Sequence, residues 1–237
     1  MLFGTSGVRK IANLELTPEL ACKIAICSAE YFSSETAIVG GDTRTTTEML
    51  KLAATSGLLS GGVDVYDGGV APTPTIAYAS KLFDIGVMIT ASHNPPEYNG
   101  IKLFRDTMAF EREVEKRVEE MVKNNNFKRV KWKDVGILAT FDAISYYTED
   151  ALDKRGVEDS IKVVVDSGNG ASFFVTPNLL SLAGADVISL NSHPDGRFPA
   201  RESEPTEKNL GALAEVVKSS HADFGVAHDG DADRAVF

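Results

Sequence analysis

Cysteine is scarce in this chain of 237 residues, which contains only Cys22 and Cys27. The two are five positions apart in a predicted helix, which separates them by about 140° around the helix axis. They cannot form a disulfide without unwinding the helix, and their spacing does not match a zinc site. Two buried thiols in a reducing compartment are the simpler interpretation, so we expect a cytoplasmic protein.

The sequence also lacks membrane-spanning and signal-peptide patterns, and it has fewer basic than acidic residues. No apolar run approaches the roughly 18 residues needed to span a bilayer, and no signal peptide is expected at the start. The 24 Lys and Arg residues against 34 Asp and Glu residues give a net charge of −10. An acidic chain is poorly suited to nucleic acid, so we expect neither a nucleic-acid partner nor a membrane partner.

Apolar strands alternate with helices along the chain, which predicts βαβ units with parallel strand pairing. The length of 237 residues favours one large or two small domains, and the hydrophobic fraction of 43% is enough to bury a core. We expect an α/β fold of two successive three-layer α/β/α domains, residues 1–150 and 151–237, with mixed, mainly parallel sheets and the second domain incomplete. Helices are predicted at 17–31, 45–60, 75–83, 111–123, 142–155, 177–182 and 206–218, and strands at 37–40, 63–66, 85–89, 161–165, 186–190 and 223–227.

Local signals mark several helix ends. Thr17 and Pro18 fit an N-cap followed by proline at the first helical position. Thr45 and Glu48 fit a capping box at the start of the next helix. The glycine pair 61–62 ends that helix. The domain boundary is expected between the asparagines at 124–126 and position 156.

The polar segment Thr90–Lys102 directly follows an apolar strand. Ligands of open α/β sheets bind at the carboxyl ends of strands, so this segment is a candidate site. Its two prolines predict a rigid loop that presents Ser92, with His93, Asn94 and Lys102 close by. A serine transfers groups when it is activated or phosphorylated, and a lysine acts as acid or base when its pKa is lowered. A surface turn is the alternative, and the absence of Gly-x-Ser-x-Gly disfavours an α/β-hydrolase.

Three carboxylates, those of Asp229, Asp231 and Asp233, follow the last predicted strand. They repel one another unless a cation or wide exposure to solvent relieves the repulsion. An all-oxygen donor set favours Mg²⁺ or Ca²⁺ over zinc. The segment is not an EF-hand loop, because its sixth position is Arg234 instead of glycine. A metal site and a solvated acidic turn are the two alternatives.

The other glycine-rich segments are less specific. Asp166–Ala171 begins like a dinucleotide-binding loop, but Phe173 stands where a third small residue is expected, which favours a tight strand-to-helix turn. Arg9 and Arg44 each follow small residues, and arginine binds phosphate in a bidentate way. A solvated surface charge is the alternative for both arginines. The four histidines show no zinc spacing, so no histidine metal site is expected.

Taken together, these segments resemble the α-D-phosphohexomutases, which include phosphoglucomutase, phosphomannomutase and phosphoglucosamine mutase. The resemblance extends over essentially the whole chain, and a further stretch, 193–201 with Glu204 and Pro205, is similar to archaeal members. Four motifs occur in the family's order: Phe3–Arg9, Val39–Arg44, Thr90–Lys102 and Asp229–Arg234.

The resemblance implies that Ser92 is phosphorylated and passes its phosphoryl group to a hexose monophosphate. The resulting 1,6-bisphosphate of glucose, mannose or glucosamine, which also serves as activator, turns over in the site and returns its other phosphate. One Mg²⁺ per chain would be held by the Ser92 phosphate with Asp229, Asp231 and Asp233.

The resemblance also implies roles for five neighbouring residues. Lys102 would be the general acid or base. His93 and Asn94 would support the loop, with His93 near the chemistry and Asn94 also near the phosphate. Arg9 and Arg234 would place and neutralise the phosphoserine.

Family members carry two further domains, one for sugar recognition and a C-terminal one for phosphate binding. The chain ends in the apolar run Ala235–Phe237, which resembles a strand cut short, so we expect a fragment that is poorly active or inactive as a mutase. Another departure is Lys10, where many relatives have glycine. The preferred hexose and the oligomeric state stay open. A non-catalytic binding or assembly module and a metal-dependent phosphatase are the alternative functions.

Overall fold

The computed structural model describes residues 2–4, 7–154 and 161–237, which form two β-sheets packed with helices. None of the described helices combines the length and the apolar character that a bilayer crossing requires. The helices are α1 Pro18–Phe32, α2 Thr47–Ser60, α3 Thr73–Ala79, α4 Arg112–Asn124, α5 Ala143–Lys154, α6 Val175–Leu182 and α7 Gly211–Ser220. The strands are β1 Val8–Ile11, β2 Thr36–Gly41, β3 Asp64–Val70, β4 Ile85–Ile89, β5 Tyr98–Arg105, β6 Met108–Ala109, β7 Leu138–Thr140, β8 Lys162–Asp166, β9 Asp186–Leu190, β10 Phe224–His228 and β11 Ala235–Val236.

The first sheet has seven strands in the order β1-β5-β4-β2-β3-β7, with β6 beside β5. The pairs β4–β2, β2–β3 and β3–β7 are parallel, whereas β5 runs antiparallel to both β1 and β4. One apolar cluster joins α1, α2 and α4 to the sheet, and a second joins α3 and α5. β4 is buried along its whole length, as expected for a strand covered on both faces.

The second sheet has four strands in the order β11-β10-β8-β9. β9, β8 and β10 are parallel, and β11 is antiparallel to β10. Successive residues of a strand point to opposite faces, so Val163 and Val165 join the cluster under α6 while Val164 joins the one under α7. The described residues therefore have the mixed, mainly parallel α/β architecture expected from the sequence.

Two expectations about the site segments are wrong in the structure. The predicted loop Thr90–Lys102 ends near residue 97, because Tyr98–Arg105 forms β5 and carries Lys102 on a strand. Gly100 is required inside that strand, since a Cβ there would lie 2.2 Å from the carbonyl oxygen of Val8. Arg9 also lies on a strand, β1, instead of in a loop.

The expected capping box at Thr45 and Glu48 is also wrong. α2 begins at Thr47, and the N-cap residue Thr46 makes no side-chain bond to the helix. The Glu48 carboxylate instead forms an ion pair with Lys51 at 3.1 Å. The pattern of residue types is present, but the N-cap is Thr46, one residue later than expected.

Other element bounds differ only locally from the expected ones. The predicted helix 206–218 is a 3-10 turn at Glu207–Asn209 followed by α7, and the predicted helix 75–83 is α3 followed by a 3-10 turn at Ser80–Leu82. Both cysteines lie in α1 as free thiols, with Cys27 buried and Cys22 only partly so. The expected domain division at residue 150 stays a prediction, and position 156 lies outside the described residues.

The N-cap of α1 gives a test of the local structure. Thr17→Ala is expected to lower the free energy of unfolding by about 1 kcal/mol, because Thr17 Oγ1 accepts a hydrogen bond from the backbone N–H of Leu20 at 3.3 Å. Urea titration followed by circular dichroism measures the loss. The matched control Thr45→Ala changes an exposed threonine outside α2 and should cost less than about 0.5 kcal/mol. Equal losses would contradict the assigned cap.

Candidate functional site between the two sheets

The loop after β4 and the loop after β10 meet between the two sheets. Ser92 Oγ donates a hydrogen bond to Asp229 Oδ2 at 2.7 Å, although the two residues are 137 positions apart. Thr73 at the start of α3 donates to the same acidic loop, from its Oγ1 to Asp231 Oδ2 at 2.5 Å and from its backbone N–H to the Asp231 carbonyl at 2.8 Å. The two segments singled out in the sequence therefore share one buried site.

The carboxylates of Asp229, Asp231 and Asp233 form its acidic centre, with ligand atoms that all lie within 4.8 Å of one another. Burial, followed by the charges of Asp231 and Asp233, raises the pKa of Asp229 to about 7. Burial also opposes ionisation of Asp231, but the Lys102 charge and hydrogen bonds to it hold the pKa of Asp231 below its usual value. Asp231 Oδ1 is buried and has no hydrogen-bond partner among the described residues.

Lys102 reaches this cluster from β5. Its Nζ donates to Asp231 Oδ2 and to Asp233 Oδ2, both at 2.6 Å, and its side chain is 5% exposed. Burial acts to lower the pKa of Lys102, but the charges of Asp231 and Asp233 outweigh it and raise the pKa above the ordinary value. Lys102 is therefore an ammonium group that donates hydrogen bonds in this arrangement. Its pKa is shifted upward, whereas a lysine that acts as a base needs a lowered pKa.

Arg9, on β1, contacts the Ser92 loop through Asn94. Arg9 Nη1 is 3.4 Å from the Asn94 Oδ1 that accepts its hydrogen bond. Arg9 Nε is buried and has no hydrogen-bond partner among the described residues. Two neighbours of Arg9 in the first motif, Thr5 and Ser6, lie outside the described residues. The guanidinium thus reaches the Ser92 loop with a donor to spare.

Arg234 and His93 close the exposed edge of the site. Arg234 Nη1 donates to Glu204 Oε1 at 2.6 Å, and its Nη2 contacts His93 Nδ1. Arg234 Nε lies 4.0 Å from a carboxylate oxygen of Asp229 and of Asp233. Burial, followed by the Arg234 charge, lowers the pKa of His93. Because a guanidinium can only donate, His93 is the acceptor in this contact.

Arg44 does not face the site as a phosphate ligand, which corrects that expectation. Its side chain is fully buried, and its Nε donates to Asp42 Oδ2 at 3.1 Å. Its two terminal nitrogens donate to backbone carbonyls of the Ser92 segment, those of Ser92, Asn94, Pro95 and Tyr98, at 2.6–3.0 Å. All five N–H groups of the guanidinium are used, so none is left for an anion.

The glycine-rich segment Asp166–Ala171 forms the tight turn favoured by the sequence. Gly168 has a φ of +53°, and a Cβ on Gly170 would lie 2.6 Å from the carbonyl oxygen of Gly230 in the acidic loop. Asp166 is held by Arg201 Nε at 2.8 Å. This segment therefore packs beneath the acidic loop and supports it.

Thr73 and Ser203 are site residues that the sequence analysis missed. Thr73 hydrogen-bonds Asp231, and Ser203 Oγ donates to the carbonyl of Ser92 at 3.0 Å. Single hydroxyl residues carry no spacing signal of their own. Pro72 and Pro74 flank Thr73 in the sequence, but prolines there are typical of a helix start and do not mark a binding residue.

Two family models cover most of the chain. Residues 1–129 match the model described as phosphoglucomutase/phosphomannomutase, alpha/beta/alpha domain I, and residues 144–237 match domain II of the same family. The chain belongs to the phosphoglucomutase/phosphomannomutase family. The resemblance inferred from the four motifs is thereby confirmed.

Similar proteins of this family come from archaea and bacteria. The chain is 49% identical over 235 residues to a probable phosphoglucosamine mutase of Pyrococcus furiosus, covering 98% of this chain and 52% of that protein. It is 51% identical over an alignment of 249 residues to a phosphoglucomutase/phosphomannomutase of Thermococcus kodakarensis, covering 100% and 54%. A solved phosphoglucomutase/phosphomannomutase family protein of Burkholderia thailandensis superposes with a TM-score of 0.91 at 26% identity, covering 99% and 53%. The chain spans about half the length of these relatives.

The Lys102 ion pairs give a test of the site's energetics. Lys102→Met is expected to lower the free energy of unfolding by about 3 kcal/mol, because Asp231 would stay buried beside two carboxylates without a compensating cation. Urea titration in the presence of EDTA measures this loss. In the control Lys51→Met, the partner Asp67 is 32% exposed and can be solvated, so a loss of about 1 kcal/mol is expected. A Lys102→Met protein as stable as the control would contradict this account.

Proposed function

We propose that this chain carries the phosphoserine and metal-binding part of a phosphohexomutase, which interconverts hexose 1-phosphate and hexose 6-phosphate through a 1,6-bisphosphate. The observation that carries the proposal is the 2.7 Å hydrogen bond from Ser92 Oγ to Asp229 Oδ2, which joins the loop of one sheet to the acidic centre of the other. Phosphoryl transfer depends on positioning and on neutralisation of charge, and this junction offers both.

The acidic centre fits one Mg²⁺. Its donors are all oxygens within 4.8 Å of one another, and Asp231 Oδ1 is a buried acceptor with no donor among the described residues. We assign Asp229, Asp231 and Asp233, with an oxygen on Ser92, as the groups that would hold the ion. When bound, the ion would neutralise charge on the phosphoryl group during transfer.

In the transfer step, the bond between Ser92 Oγ and phosphorus breaks while a sugar hydroxyl forms a new bond to phosphorus. One proton therefore passes from the sugar hydroxyl to the Ser92 oxygen. Lys102 is assigned as the general acid and base, because its Nζ reaches the acidic centre that Ser92 also contacts. Asp231 and Asp233 hold it as an ammonium group, so Lys102 enters the step as the acid. The ammonium gives its proton to the Ser92 oxygen, and the resulting amine takes the proton of the sugar hydroxyl.

Arg9 and Arg234 are assigned to placing and neutralising the phosphate on Ser92. Each arginine contacts a residue of the Ser92 loop: Arg9 contacts Asn94, and Arg234 contacts His93. Asn94 and His93 are the two residues proposed to support that loop. Arg234 Nε also lies 4.0 Å from carboxylate oxygens of Asp229 and Asp233, which keeps positive charge close to the acidic centre. That arrangement suits a group that carries negative charge of its own.

The complete mutase reaction also needs a phosphoryl donor and groups that bind the sugar. Glucose, mannose or glucosamine 1,6-bisphosphate is the proposed donor that installs the phosphate on Ser92. The segments that relatives carry beyond the length of this chain are proposed to bind the sugar and its distal phosphate, so this chain alone should turn over substrate poorly. The cytoplasmic location and the division near residue 150 stay predictions.

The phosphoserine is tested by mass. After incubation with glucose 1,6-bisphosphate and Mg²⁺, intact-mass spectrometry should show one added phosphoryl group on the wild-type chain and none on Ser92→Ala. The control Ser167→Ala changes a buried serine in the corresponding loop of the second sheet, whose hydroxyl pairs with Ser192, and should be phosphorylated normally. A wild-type chain that never gains the group would count against the proposal. Release of inorganic phosphate that survives in Ser92→Ala would favour a metal-dependent phosphatase.

The metal site is tested by calorimetric titration with Mg²⁺. Asp231→Asn should weaken Mg²⁺ binding by at least about tenfold, because a neutral amide replaces a buried ionised carboxylate of the cluster. The control Asp106→Asn changes an exposed turn residue with a φ of +50°, which asparagine tolerates, and should leave the affinity unchanged. The same affinity in both variants would refute the assignment of Asp231.

A further inference from the structure

The backbone of Ser92 is held in a conformation that a serine seldom adopts. Its φ is +54°, in the left-handed region that favours glycine. Strained residues of this kind persist where the surrounding structure determines their geometry. The contacts that hold Ser92 therefore indicate what fixes the direction of its hydroxyl.

Two buried side chains donate to the Ser92 carbonyl. Arg44 Nη2 donates at 2.8 Å, from the segment after β2, and Ser203 Oγ donates at 3.0 Å, from the segment after β9. One donor thus comes from each half of the chain. Because the carbonyl and the side chain share one Cα, fixing the carbonyl also constrains where Ser92 Oγ points, which is toward Asp229.

Arg44 holds the rest of the loop as well. Its Nη2 also donates to the Asn94 carbonyl at 2.6 Å, and its Nη1 donates to the carbonyls of Pro95 and Tyr98 at 2.6 and 3.0 Å. Its own position is set by Asp42, which accepts from both the backbone N–H and the Nε of Arg44. Only a planar fork with five donors can serve all these acceptors, so lysine is not an equivalent substitute.

The second half of the chain closes over Arg44. The Phe198 ring lies 5.1 Å from the Arg44 guanidinium carbon, a cation–π contact. Gly196 packs so closely that a Cβ would lie 2.5 Å from the Cα of Arg44. Thr43 Oγ1 donates to the Asn169 carbonyl at 2.9 Å beside this contact. The segment 196–203 therefore excludes water from the arginine and supplies Ser203 to the same carbonyl.

We propose that Arg44 and Ser203 are positioning residues for phosphoryl transfer, which aim the Ser92 hydroxyl at the acidic centre by fixing the Ser92 carbonyl from both halves of the chain. The proposal rests on the proposed function of Ser92. Neither residue contacts the reacting atoms, because the donors of Arg44 are all used by Asp42 and the loop carbonyls, and the Ser203 hydroxyl donates to the Ser92 carbonyl.

The test compares Arg44→Lys and Ser203→Ala with the wild-type chain in the rate of phosphoryl uptake on Ser92. Intact-mass spectrometry follows the uptake over a range of glucose 1,6-bisphosphate concentrations with Mg²⁺. The maximal rate should fall at least about tenfold in Arg44→Lys and about threefold in Ser203→Ala, with the half-saturating donor concentration unchanged. The control is Lys51→Arg, which makes the reverse substitution at another buried cation in the same half of the chain. Lys51 pairs with Asp67, and this variant should keep the wild-type rate.

Two results would overturn the positioning role. The first is a wild-type maximal rate in Arg44→Lys. The second is a change confined to the half-saturating concentration, because the residue would then act in binding the phosphoryl donor. Thermal melting of Arg44→Lys against Lys51→Arg shows whether the variant folds. If Arg44→Lys does not fold, Ser203→Ala decides, and an unchanged maximal rate in that variant refutes the positioning role.

Failure of the proposed function has a different signature. If the wild-type chain takes up no phosphoryl group, the positioning claim is decided by amide hydrogen exchange in the loop. The N–H groups of Ser92, Asn94 and Tyr98, which donate to Thr90 Oγ1 and to the carbonyls of Ala91 and Pro95, should exchange faster in Arg44→Lys than in Lys51→Arg. Equal exchange in the two variants overturns the claim.

Discussion

Burial of carboxylates at the junction of the two sheets is the constraint on which this structure depends. Asp229 and Asp231 are almost completely buried, and a buried charge is costly unless it is paired and hydrogen-bonded. The first sheet supplies the compensation, with a cation from Lys102 and hydroxyl donors from Thr73 and Ser92. The acceptors belong to one half of the chain and the donors to the other. Electrostatic pairing therefore ties the halves together at the position where the chemistry is proposed.

The loops on both sides of this junction are stiffened by the same device. In the first half, Asp42 directly after β2 pairs with Arg44, which donates to the carbonyl of Ser92. In the second half, Asp166 at the end of β8 pairs with Arg201, which donates to the carbonyl of His228 just before the acidic loop. Each aspartate fixes an arginine, and each arginine fixes the loop of a neighbouring strand. A guanidinium suits this task because its donors point in set directions and it stays charged when buried.

The sequence predicted those features that depend on neighbouring residues. The strands Ile85–Ile89 and Asp186–Leu190 have their expected bounds, because apolar runs between polar segments define them locally. The end of the Ser92 loop was wrong because Tyr98–Arg105 becomes a strand through pairing with β1 and β4, which no local pattern encodes. The prediction that Arg44 binds phosphate was wrong for a related reason. Whether an arginine meets phosphate or backbone carbonyls depends on which acceptors the fold brings to it.

The charge at the acidic centre links the two groups proposed to bind there. Lys102 is shared between Asp231 and Asp233. Among the described residues, Asp229 accepts from Ser92 Oγ and the Arg234 backbone N–H, and its nearest side-chain cation is Arg234 at 4.0 Å. Burial, followed by the charges of Asp231 and Asp233, raises the pKa of Asp229 to about 7, so the cluster opposes further negative charge. A phosphate on Ser92 would add about −1.5 to −2 charges beside it. Such a group is stable there only if further positive charge arrives, from Arg9, Arg234 or a bound cation. Phosphate and cation should therefore favour each other's binding, because each relieves the repulsion that the other would face alone.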